Sequence, residues 1–533
     1  MHVMLIGLVV AIFLHDELSL PLVEGVSAPV LAALWLAPKL LAAGAYGLLC
    51  LRSRQRLIGG DPMGVLRRLE RLGLVYYIVL GLLYAADLSL GVLVMVRGWF
   101  SAWSPGTGGN VVLLDDVIFL LPTLLAVTWG WWCYYPIDRR LREASLIRRV
   151  DLGLPVSPLW TRGQFVLNQL RHQVALILIP LLLMIGWVEL VESGPVRNML
   201  PHVFGADPAP LVSLAGTVMV FLFAPVVIRH IWDTIPLPAG EVREHMLDLC
   251  RRHRVNVREV LVWRTAGGMI NAAVMGLIAP LRYILLTDAL LENVKRDEVE
   301  AVMAHELGHV RRHHMFWLVA AAVTGLGVLE LFFTTIFFSA LSGLMLLRDM
   351  VPATGTILRE QWLESDHALL LPTLFCTFPA WVVLFGWVSR RAERQADTFA
   401  VQHLTQRMAD DDADAESPPR VRPEAVATMV GALQRVADLN HMPVKRHNWR
   451  HGSIAWRQGY LRTLIGKPID QLPIDRQMRH IKAATLVAIL IIAATYGLFV
   501  QLEPRDTTQG YNPAPAPQRI AQHALHEDAR HRE

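Results

Sequence analysis

The stretch 301-AVMAHELGHVRRHHM-315 decides how the rest of the chain is read. It crowds His305, Glu306, His309, His313 and His314 together, and a mostly apolar run, roughly 315–347, follows at once. On a helix, residues i and i+4 share a face. His305 and His309 can therefore present two imidazoles to one ion, with Glu306 beside them. H-E-x-x-H in this form supplies two zinc ligands and a general base. Chance alone gives the pattern in roughly a few per cent of chains of this composition, so support must come from elsewhere. The competing reading is a helix end with solvated histidines at a membrane surface.

Working outward, the chain of 533 residues is 53% hydrophobic, with a mean hydropathy of +0.38. That is too apolar for an ordinary soluble protein and points to several spans. The formal charge of +4 demands no nucleic acid, and there is no nucleotide-binding motif. Cys50, Cys133, Cys250 and Cys376 are scattered without a CxxC, so they signal neither disulfide framework nor zinc finger. Nine apolar segments stand out, at about 2–14, 29–51, 72–97, 111–135, 173–193, 210–229, 315–347, 367–388 and 481–501. Most reach the ~20 residues that a spanning helix needs.

Arginine placement orients them. Six arginines fall in 52–71 and seven in 136–172, whereas 98–110 and 15–28 hold no Lys or Arg and 194–209 holds only Arg197. Basic loops stay cytoplasmic, which puts the N-terminus inside and both 230–314 and 389–480 on the cytoplasmic side. These two stretches look soluble. VREVLVWRT, MINAAVMGL and RYILLT, within 257–287, read as short strands. A helix begins near 296, with Asp297 and Glu298 suiting its dipole. The acidic 408–419 reads as a linker, and 423–440 as a further helix. The expected organisation is an N-terminal membrane region of about six spans (1–229), a first peptidase part (230–314), a membrane hairpin (315–388), a second peptidase part (389–480), a final span (481–501) and a disordered tail (502–533).

A catalytic zinc needs a third protein ligand and an open position. The metzincin pattern would place Gly at 312 and His at 315; Arg312 and Met315 stand there instead. The other solution is a second helix bearing Glu, and 389-SRRAERQADTFA-400 offers it. Glu393 is the candidate ligand. Asp397, one turn on, is the candidate to accept a hydrogen bond from a ligating imidazole and fix its tautomer. An E-x-x-x-D on a basic helix is otherwise a solvated face, but here the hairpin returns it to the membrane side of His305 and His309.

Together, AVMAHELGHV, SRRAERQADTFA and the hairpin between them resemble the membrane zinc metallopeptidases of the gluzincin type that include the type I CAAX prenyl protease and the protease HtpX. INAAVMG, YILLTDALLENVKRDEVEAV, ALQRVADLN and WRHGSIAWRQGYL extend the resemblance over about 240–465. It implies a multi-span α-helical membrane protein with a mainly helical, zincin-like cytoplasmic domain carrying a small β-sheet. It implies an endopeptidase with one zinc ion on His305, His309 and Glu393, and with Glu306 as base. It also implies a histidine that stabilises the transition state. His451 is the candidate, although the family pattern often reads His-Pro and this chain has His451-Gly452; His441 and His447 are weaker ones. Arg457 is a candidate to pair with a carboxylate, Asp397 being one choice. Asn271-Ala272 lies, by the same resemblance, on a strand bordering the cleft, where an extended peptide can add to the edge. Its alternative is a plain core strand.

His313 points away from His305. Arg311, Arg312, His313 and His314 read as a basic collar at the membrane surface. Asp87, Asp115, Asp116, Glu189 and Glu330, near or within spans, are candidates to line a water-filled interior. The expected partners are the lipid bilayer and a peptide or membrane-protein substrate, and the expected location is a bacterial inner membrane. The rival readings are an inactive scaffold with a protease-like domain and a metal-binding transporter or receptor. Reporter fusions test the orientation: a periplasmic reporter is expected to be active in 98–110 and silent in 136–172, and the reverse pattern overturns it.

Overall fold

The computed structural model describes residues 26–59, 62–100, 112–151, 159–200, 208–265, 269–350, 367–410, 419–440 and 442–502. The first apolar segment, 2–14, the tail after 502 and the linker residues 411–418 lie outside them. The chain divides into two compact units, one comprising Met1–Phe316 and Arg390–Asp475, the other Trp317–Ser389 and Arg476–Glu533.

The apolar segments among the described residues are helices, which satisfy their own backbone groups as a bilayer requires. They are α1 (Ala28–Gly59), α2 (Pro62–Ser89), α3 (Val92–Phe100), α4 (Leu114–Asp151), α5 (Arg162–Glu192) and α6 (Ala209–Ile231). Among the described residues, seven helices are long and apolar enough to span a membrane: these, apart from α3, and two that follow. The protein is a multi-span α-helical membrane protein. The stretch 72–97 is not one helix. α2 ends at Ser89 and α3 restarts at Val92, because Gly91 takes a φ of 72°, a left-handed conformation open to glycine at little cost. α4 runs past 135, so the basic residues 139–149 are helical. Tyr84, Phe119 and Trp35 pack in the core of this region, where Lys39 and Asp87 form a buried ion pair between α1 and α2.

Beyond α6 come β1 (Thr234–Pro236), α7 (Glu241–Arg252), β2 (Glu259–Trp263), β3 (Ala272–Met275), β4 (Tyr283–Thr287), α8 (Asp288–Asn293) and α9 (Arg296–Arg311). The three expected strands are present, and β1 joins them. The sheet order is β1-β2-β4-β3. β2 and β4 pair in parallel, and β1 and β3 flank them antiparallel. β4, YILLT, is buried at every residue, as an unbroken apolar run in the middle of a covered sheet should be. β3 is therefore an edge. Trp232, just after α6, stacks on Trp263 of β2 at 4.1 Å between centroids. His172 of α5 stacks on the same indole and accepts its N–H at 3.2 Å.

The remaining helices are α10 (His314–Met350), α11 (His367–Asp410), α12 (Pro423–Leu439), α13 (Ile454–Arg462) and α14 (Pro473–Leu502). The segment 367–388 is the first half of the 44-residue α11 and is not among the seven spanning helices. α9 buries Ala301 and Ala304 with Ala400, Val401 and Leu404 of α11 and Ala425, Val426 and Met429 of α12. Its contact with α11 is closest at Gly308, where a Cβ would lie 3.1 Å from Phe399 Cβ and 3.2 Å from Ala396 Cα. On its other side, Glu300 is buried against His403 Nε2 at 2.9 Å, His245 Nε2 at 3.1 Å and Arg407. Gly308→Leu is expected to destabilise the protein by about 1–3 kcal/mol through overpacking, with Gly308→Ala milder. Thermal unfolding in detergent checks this, and an unchanged midpoint for the leucine variant refutes the close approach.

Candidate metal centre and cleft

α9 carries His305 and His309 on one face, and α11 crosses it at Gly308 with Glu393 in register. The two Nε2 atoms are 3.2 Å apart. Glu393 places Oε2 3.7 Å from His305 Nε2 and Oε1 3.8 Å from His309 Nε2. Tetrahedral zinc with bonds of 2.0–2.2 Å separates its donors by about 3.3–3.5 Å. Two imidazole nitrogens and one carboxylate thus form a triangle a few tenths of an ångström from that size. His305 and Glu393 are buried, and His309 is partly so. The donor set and its spacing fit a zinc ion.

The surrounding side chains set the orientation of these groups. Asp397, fully buried, places Oδ1 2.9 Å from His305 Nδ1, which leaves Nε2 for the triangle. Arg457 grips both Asp397 oxygens, at 2.8 and 2.5 Å, and lies 3.3 Å from Glu393. His451 Nδ1 is 2.9 Å from Glu393 Oε1, with its ring half exposed. Burial works against the Glu393 charge, yet the His451 hydrogen bond and the Arg457 cation hold its carboxyl well below the usual range. Asp397 is lowered against the same burial by Arg457. Burial pushes Glu306 up to about 7, and it depresses His309 well below an ordinary imidazole.

Glu306 accepts a hydrogen bond from Val274 N–H at 3.3 Å, so the carboxylate sits at the free edge of β3. A cavity of about 500 Å3 opens there. Asn271, Ala272, His305, Glu306, His451 and Arg457 line it on the polar side; Leu290, Val302, Met429, Leu433 and Val436 form its apolar wall. His447 also lines it, and His441 lies outside the described residues. Asn271 precedes β3, its backbone tied to Thr287 of β4.

The collar reading fails for His314. That residue is 1% exposed. Its Nδ1 is 2.9 Å from His309 Nδ1, and its Nε2 is 2.9 Å from Gln395 Oε1. Gln395 donates to Asp475 at 2.6 Å. Because Asp475 only accepts, every proton in the row has one direction: His309 Nδ1–H to His314, His314 Nε2–H to Gln395, Gln395 N–H to Asp475. His309 Nε2 is left as a lone pair facing the triangle. Sequence spacing does not find His314, because the chain breaks helix at His313, with φ 57°, and α10 restarts with His314 turned inward. His313 itself is exposed. Of the acids near spans, Asp87 is buried on Lys39 and Asp115 on Arg97; Asp115, Asp116 and Glu189 gather together, and Glu330 is exposed.

Crossed helices that converge on such a triangle beside a strand edge form a candidate metal centre, and comparison with known proteins finds similar sequences. Residues 236–440 match Peptidase family M48. It is 31% identical over 115 residues to a "Protease HtpX homolog" of Aeropyrum pernix, across 21% of this chain and 35% of that protein. It is 25% identical over 231 residues to "CAAX prenyl protease 1" of Saccharomyces cerevisiae, across 39% of this chain and 49% of that one. The chain thus spans about a third and about half of the length of these relatives. The crystal structure of S. mikatae Ste24p superposes over 81% of this chain and 98% of its own, with a TM-score of 0.40 and 13% identity.

His314→Ala is expected to weaken zinc binding by about 10- to 100-fold, the usual cost of removing a group that orients a ligand. Competition against a chromogenic chelator measures it, and wild-type affinity in the variant would show that His314 orients nothing.

Proposed function

We propose that the protein is a zinc-dependent endopeptidase that cuts peptides or membrane proteins at the cytoplasmic face of a bacterial inner membrane, in the service of membrane-protein quality control. The observation that carries the reading is the convergence of His305 Nε2, His309 Nε2 and Glu393 beside Glu306 at the free edge of β3. The match of residues 236–440 to the peptidase family supports it, and the arginine-rich loops support the sidedness.

His305, His309 and Glu393 would hold the ion, which when bound acidifies water and polarises a carbonyl. Glu306 takes the proton of the attacking water and returns it to the leaving amine. Its raised proton affinity suits a group that must both accept and release near neutral pH. An extended substrate adds to the outer edge of β3, with Asn271 and Ala272 lining the cavity beside it. His451 is placed to stabilise the developing oxyanion. While its Nδ1 donates to Glu393, Nε2 can donate only in the imidazolium form; otherwise the half-exposed ring must turn. Arg457 holds Asp397 and Glu393 in place.

Purified protein is expected to digest casein or a model peptide, to stop with a chelator and to recover with zinc. Glu306→Gln should lower kcat by about 10²- to 10⁴-fold while still binding zinc. Cleavage by this variant at the wild-type rate would remove Glu306 from the mechanism.

A further inference from the structure

A second cavity, of about 220 Å3, borders the far end of β3 at Val274 and Gly276 and shares His309 with the metal centre. A chain laid along the edge from Asn271 and Ala272 would reach it next. Arg254, Arg282, Arg311 and His313 line it beside apolar residues such as Val255, Leu277 and Phe316, and no carboxylate does among the described residues. The Arg282 guanidinium is tethered to the carbonyls of Gly276, Asn256 and Leu277, at 3.3, 3.0 and 2.6 Å. Its charge is thereby fixed in place without being neutralised by an acid. Arg254 and Arg311 are exposed, and no ion pair engages either among the described residues. Arg254 and His313 hold left-handed backbone, with φ of 52° and 57°, where α7 and α9 end.

We propose that this cavity is a subsite for a substrate carboxylate, from an Asp or Glu side chain or from the chain terminus, lying on the Val274–Gly276 side of the scissile bond. The inference rests on the peptidase reading and adds a substrate preference to it. A fixed guanidinium with two further cations beside it binds a carboxylate through charge-assisted hydrogen bonds. The cavity's continuity with the strand edge and its shared His309 favour a substrate group over a lipid headgroup.

The test uses full-length protein in nanodiscs of neutral lipid and a peptide series in which one Glu, or its Gln counterpart, moves register by register across the cleavable bond. A second pair carries a free or an amidated C-terminus. Binding is measured on the Glu306→Gln protein and kcat/KM on the wild type. The Glu peptide, or the free-acid peptide, is expected to bind about fivefold tighter at one register on one side only, less so at high salt. Arg254→Gln with Arg311→Gln should erase that ratio, and Arg311→Glu should invert it toward a Lys peptide. Equal binding of Glu and Gln peptides at every register, with cleavage intact, overturns the subsite and leaves the peptidase. A dependence on anionic lipid in place of the peptide's charge overturns it in favour of the membrane. If the binding ratio holds and no peptide is cut, the peptidase reading falls and the anion site stands.

Discussion

Three carboxylates, Glu306, Glu393 and Asp397, meet in one buried space against a single buried arginine, Arg457. Charges taken out of water cost several kcal/mol each unless they are paired and hydrogen-bonded. Arg457 answers two of the three, gripping Asp397 with two bonds and touching Glu393 with a third nitrogen. One arginine does not balance two carboxylates, and the Glu393 charge faces two imidazole nitrogens that present lone pairs. A divalent cation would offset the excess charge there, so electrostatics and donor geometry favour the same ion. The helices are arranged around this requirement: α9 brings the imidazoles, α11 the acids, and α13 the arginine.

Holding two helices close enough to share an ion is a packing problem. Gly308 solves it between the two histidines by omitting a side chain, and the alanines at 301, 304, 396 and 400 keep the rest of the interface thin. Glu300 anchors the reverse of α9 to His403, His245 and Arg407. Asp397 and His314 then set the two imidazoles from behind, one through a carboxylate and the other through a row of neutral groups ending on Asp475. The candidate ligands are positioned by partners that are themselves held, which is how ring orientation and tautomer are kept.

The edge strand links this centre to what surrounds it. β3 shows one side to β4 and leaves the other open, so its Val274 N–H meets Glu306, and a cavity lies toward each of its ends. Basic and apolar side chains line both; the larger also holds Glu306, whereas no carboxylate lines the smaller among the described residues.

Much of this was legible in the residues. His305, Glu306 and His309 declare themselves by helical spacing, the spans by length and apolarity, and the family by motifs recurring in order; each is local, and local periodicity is what a sequence displays. Glu393 and Asp397 were legible as a pair, four residues apart on one helical face, once the chain was expected to return after 315–388. What the spacing could not show is any feature that depends on how distant elements meet. β1 adds to the sheet by pairing with β2, beside the Trp232–Trp263 stack. Gly91 divides what reads as one apolar helix. His314 looks like part of a basic run, yet it turns inward because His313 takes a left-handed conformation and restarts the helix at an angle. Arg254, Arg282 and Arg311 are far apart in the chain and form one wall only when α7, the β3–β4 turn and α9 are packed. The sequence by itself determined the chemistry available and the helices that carry it; the tertiary structure decided which groups face one another, because burial and pairing act between elements brought together only by folding.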